Sequence, residues 1–144
     1  MKSVIYLFDP VLYPFPLLVT KKFDPKELGD MFYVINTNND LEHRPEEFVP
    51  NTNTTARTIE VVSKKTELRY VLIMLCRVSV IGDGTIAHES YHASNMIADV
   101  CGFLPDKVMY DEPVAYLIQW MANCVRCVLV NKPKRMKGEL FTQK

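Results

Sequence analysis

The stretch RTIEVVSKKTELRYVLIMLCRVSVIGDGTIAHESYHASNMIADVCG, Arg57–Gly102, decides the fold. Its first half holds two runs rich in valine, isoleucine and threonine around the polar break SKKTE, the pattern of a β-hairpin. The second run, YVLIMLC from Tyr70 to Cys76, is apolar throughout and is expected to lie deeper in a sheet than the first. IGDGT then halts the strand and supplies Asp83 or Thr85 as the N-cap of a helix over 85–101, with Gly102 as its stop. A hairpin that runs on into a long helix implies an α+β domain.

Upstream, KSVIYLF reads as a first strand, and DPVLYPFP as an irregular crossing, because proline cannot serve a central ladder. LLVTKKF resumes as a strand. DPKELGDMFYVI places Asp24 before Pro25 and apolar Leu28, Met31 and Phe32 at helical spacing, which predicts a short extra helix near 25–33. Periodicity then vanishes over a long loop, 36–56, which carries the third histidine of the chain, His43. Downstream, Asp111 as N-cap and Pro113 in the first turn open a second long helix that runs through VAYLIQWMANCVRCVLV to Asn131 and Pro133. The expected architecture is a single domain over 1–130, α+β, with a small mostly antiparallel sheet packed against two long helices. Residues 131–144, NKPKRMKGELFTQK, are expected to form a basic flexible tail.

At 144 residues, 48% hydrophobic, the chain is long enough for one domain with a sizeable core. Lysine plus arginine and aspartate plus glutamate both number 17, so the chain as a whole carries no electrostatic footprint for nucleic acid or an anionic membrane; no membrane partner is expected, and nucleic-acid binding, which would rest on the KPKRMK stretch at 132–137 alone, ranks last. The apolar N-terminus is broken by Asp9, Pro10, Pro14 and Pro16. It therefore reads neither as a signal peptide nor as a membrane span, and a cytoplasmic setting is expected. In that reducing setting Cys76, Cys101, Cys124 and Cys127, each within an apolar element, are expected as buried thiols, and the Cys124/Cys127 pair lacks a second ligand pair for a metal.

The chemistry concentrates in HESYH. His88 and His92 are four apart, so on a helix they lie one above the other and aim their imidazoles at one point. Glu89 is turned about a hundred degrees away from His88, beside that point. The arrangement supplies two neutral nitrogen ligands for Zn2+ and a general base from one helical turn. A catalytic zinc takes three protein ligands and leaves one position open. Asp99, seven residues after His92, reads as a supporting or capping polar group. Glu112, twenty residues after His92 in the first turn of the next helix, is the better third ligand if two antiparallel helices bring it back over the histidines, with Asp111 as the cap.

HESYH followed at this distance by DEPVAYLIQW resembles the gluzincin metallopeptidases, in which the third ligand is a helical glutamate with a small residue three positions later, here Glu112 and Ala115. More loosely, FDPVLYPFPLLVT, HESYHA and DEPVAYLIQW together resemble small zincin-like proteins of bacteriophages of the Bacteroides group, which would place the protein in the host cytoplasm. The zincin likeness covers about 68–130. It implies a minimal zincin-like fold and a peptide or protein substrate lying extended against a strand beside the active-site helix, here Leu68–Val78.

The implied mechanism is peptide hydrolysis. Zinc on His88, His92 and Glu112 would lower the pKa of its water to about 7. Glu89 would take the water proton and deliver it to the leaving amine. Tyr116, Tyr110 and His43 are candidate donors to the oxyanion, and Tyr116 reads equally well as a core aromatic. The competing expectation is a non-catalytic binding or structural module, such as a phage accessory or virion protein, that retains a zinc site for folding.

Overall fold

The hairpin at the head of Arg57–Gly102 stands in the middle of the molecule. The computed structural model describes residues 2–102 and 111–142, with Asp111 described by its backbone alone. Among them, in chain order, are β1 (Val4–Phe8), β2 (Leu17–Lys22), α1 (Pro25–Met31), β3 (Phe32–Ile35), β4 (Leu41–Glu42), β5 (Ala56–Ser63), β6 (Arg69–Leu75), α2 (Asp83–Cys101), α3 (Asp111–Leu129) and β7 (Glu139–Leu140). The strands form one sheet in the order β4-β3-β5-β6-β2-β1-β7. Every pairing is antiparallel except that of β2 with β6, which is parallel.

The class is α+β with two long helices and one short one, as expected, but the sheet is larger than expected and mixed. Six of the seven residues of β6 are buried, because helices cover both of its faces. On one face, Val71, Ile73 and Leu75 join Leu17 and Val19 of β2 beneath α2 and α3. On the other, Leu72 and Met74 join Leu18, Val61 and Phe32 against α1 and the 3-10 turn Pro45–Phe48.

The caps explain the helix boundaries. The carboxylate of Asp24 accepts from the Lys26 N–H, and α1 ends at Met31 because Phe32 turns into β3. Gly82, not Asp83 or Thr85, is the N-cap of α2, and no side chain caps it. Asp83 instead stands in the first turn, where its charge suits the helix dipole and pairs with Arg126 of α3. Gly102 closes α2 with φ 78°, a left-handed backbone that glycine adopts freely.

Two expected irregular regions are ordered. Within the expected loop 36–56, the Asn36 side chain accepts from the N–H groups of Asn38 and Asp40 and builds the β3–β4 turn. Phe48, fully buried, then anchors the 3-10 turn against Phe32. The expected flexible tail 131–144 is instead folded as far as it is described, to residue 142. A 3-10 turn at Pro133–Met136 leads into β7, which pairs with β1, and Phe141 stacks on Phe32 and edges onto Tyr70. The physical reason is Gly138, which packs so closely on Phe8 that a Cβ there would sit 2.5 Å from the ring. Among the described residues no helix is long and apolar enough to cross a membrane, and all four cysteines are free thiols, Cys124 and Cys127 being buried.

Candidate metal centre

α2 is three-sided. Ile86, Ser90, Ala93 and Ile97 face the core, Glu89 turns toward the sheet, and His88, Tyr91 and His92 face solvent. The i, i+4 spacing brings the imidazoles together: His88 Nε2 and His92 Nε2 are 3.1 Å apart, with ring planes at 81°. Two nitrogens at about 2.0–2.1 Å from a tetrahedral zinc stand about 3.4 Å apart, so the pair fits two neighbouring coordination positions.

Glu89 is only 6% exposed, although it follows His88 directly. Its Oε2 accepts from the Thr58 hydroxyl of β5, while Oε1 makes no hydrogen bond among the described residues. Glu89 and His88 together line a shallow pocket of about 360 Å³ with Thr55, Ala56, Gly84 and Thr85. Cys76, at the exit of β6, is close enough to feel that carboxylate. Burial pushes its thiol up, and the charge of Glu89 adds to the rise against an opposing effect of Arg57. On the other flank, His92 lines a hollow with Tyr91, Asn95, Asp99 and Glu60 of β5, so Asp99 lies near the pair without joining it.

Glu112 is not brought to the histidines. α3 runs antiparallel to α2, with Arg126 beside Asp83 and Met121 within 3.3 Å of the Ser94 hydroxyl. α2 continues nine residues past His92, about 13 Å of helix, before the chain turns. The first turn of α3 therefore lies beside the last turns of α2, and Glu112 is exposed there. Among the described residues no three histidine, cysteine, aspartate or glutamate side chains gather to hold a metal.

Two of the three candidate oxyanion donors also lie elsewhere. His43 Nδ1 is 2.6 Å from Lys64 Nζ, at the far end of β5 from Thr55. Tyr116 is 67% exposed, neither core nor site, in a groove with Pro10, Leu12 and Trp120. Tyr110 lies outside the described residues.

The strand expected to offer an edge, Leu68–Val78, offers none, because β6 is paired on both sides, by β5 and by β2. The open edge belongs to β5. β3 covers only Val61–Ser63, so among the described residues Ala56–Glu60 has no strand partner on that side, and it opens into a cleft of about 800 Å³ shared with Asp99 and Met96 of α2. Thr58 and Cys76 had no visible link to HESYH in the sequence. Only the alternation of RTIEVV, which sets Thr58 and Glu60 on one face, hinted at it. No protein-family model, curated protein or solved structure matches the chain.

Proposed function

We propose that the protein is a zinc-dependent peptidase built on α2, with His88 and His92 as two of the metal's ligands and Glu89 as general base. The observation that carries this reading is the convergence of the two Nε2 atoms, 3.1 Å apart, on the helical turn that also bears Glu89. The chemistry a zinc ion supplies when bound is Lewis acidity toward a carbonyl and a water. His88 and His92 would hold the ion through their Nε2 atoms. Glu89 takes the proton of the attacking water at Oε1, its unbonded atom, and passes it to the leaving amine, while Thr58 fixes the other oxygen. The substrate is a peptide, extended along the open edge of Ala56–Glu60 and held by backbone hydrogen bonds. Four free thiols accord with a reducing, cytoplasmic setting.

The burial of Glu89 favours a second reading, a non-catalytic module that retains a metal site and uses Glu89 only to tie α2 to β5. Zinc stoichiometry by equilibrium dialysis, run beside cleavage of fluorescent casein, separates the two. The peptidase binds one zinc per chain, loses it in His88→Ala and His92→Ala, and in Glu89→Gln keeps it while cleavage falls by about 10²–10⁴-fold. The module binds zinc in wild type and Glu89→Gln alike and cleaves in neither. A wild-type chain that takes up no zinc sinks both.

A further inference from the structure

The C-terminal basic segment is a rigid display of charge. Its backbone is closed by Gly138 N–H to Pro133 O at 2.9 Å and Lys137 N–H to Lys134 O at 3.0 Å, and it is seated on Phe8 through Gly138. Lys21 fixes its entry by donating to Leu129 O and to Asn131 Oδ1. Between this turn and the β1–β7 edge lies a cleft of about 810 Å³. It is lined by the apolar surfaces of Tyr6, Pro133 and Leu140, Tyr6 and Leu140 being paired across β1 and β7, and by Lys132, Lys134 and Arg135 against one carboxylate, Glu139. Lys132, Lys134 and Arg135 are exposed, and among the described residues no carboxylate lies within ion-pair distance of them. The chain is neutral overall, so this imbalance is local.

We propose that this cleft binds single-stranded nucleic acid, a function independent of the metal centre. Single-strand binders join a cationic groove that follows the phosphates to an apolar or aromatic surface on which bases stack. Here Lys132, Lys134 and Arg135 take the phosphates, and a base rests on Tyr6 and Leu140. An acidic peptide would match the cations but make no use of the apolar and aromatic surface of Tyr6 and Leu140.

The test is fluorescence anisotropy of a labelled oligothymidylate of about twenty nucleotides with the full chain, from about 50 to 200 mM KCl. Binding is expected with a log-log salt slope of about −2, the value for three phosphate contacts on a single strand. The combined variant Lys132→Gln, Lys134→Gln, Arg135→Gln weakens it at least about tenfold and flattens the slope, whereas Glu139→Gln tightens it and Lys26→Gln, an exposed lysine elsewhere, changes nothing. The proposal is overturned by absence of binding at the lowest salt or by a triple variant that binds like wild type. It is equally overturned if polyglutamate or phosphatidylserine vesicles displace the oligonucleotide as well as unlabelled oligothymidylate does.

Discussion

One peptide bond joins His88 to Glu89, yet the first is exposed and the second is almost wholly buried. The hundred-degree step of the helix sends the imidazole to solvent and the carboxylate to the sheet, where the Thr58 hydroxyl meets it. The next residue has no such provision. Ser90 is fully buried, and its hydroxyl is, among the described residues, a buried polar side-chain group without a hydrogen bond. Such a group forfeits its hydration for nothing, and alanine is the better helix former. Ser90→Ala is therefore expected to stabilise the protein by about 1 kcal/mol, read as a rise of roughly 2–4 °C in the thermal midpoint. HESYH was legible at this scale because its geometry depends only on neighbours four residues apart. The partner of Glu89 was not, since Thr58 reaches it across thirty-one positions of sequence and the hairpin.

At the scale of elements, the length of α2 decides what joins the histidine pair. Glu112 stands at the correct sequence distance for a third ligand, but that distance is consumed by helix and not by a return. Glu112→Gln is accordingly expected to leave zinc affinity unchanged in a competition titration with a chromophoric chelator. A tenfold loss would mean that the first turn of α3 closes over His88 and His92. Both long helices were readable from periodicity, α2 also from its Gly102 stop, α1 from its Asp24 cap, and the β5–β6 hairpin from its polar break, because these signals are local, although the N-cap of α2 is Gly82 and not Asp83 or Thr85. The partners of β6 were not. An apolar run announces burial on both faces but does not name the strands beside it, so the exposed edge passed from β6 to β5. The segment 36–56 read as structureless because its order comes from Asn36 hydrogen bonds and one aromatic, Phe48, neither of which leaves a period.

At the scale of the molecule, lysines made 131–144 look like a tail, while the ordering contacts of its described part come from Gly138, Phe141 and Met136, spread among the charges. Gly138→Ala places a methyl group against the fully buried Phe8 ring and the Pro133 Cβ. Overpacking of this kind costs about 1–3 kcal/mol, to be measured by urea unfolding. The loss is expected to be accompanied by faster proteolysis within 132–137. The parallel β2–β6 pairing sets a different constraint. It joins Leu17 to Val71, about fifty residues apart, whereas β5 and β6 meet through a short turn. Loop-closure entropy therefore favours the hairpin forming first, and until β2 closes that long loop β6, six of whose seven residues end up buried, has one side unpaired.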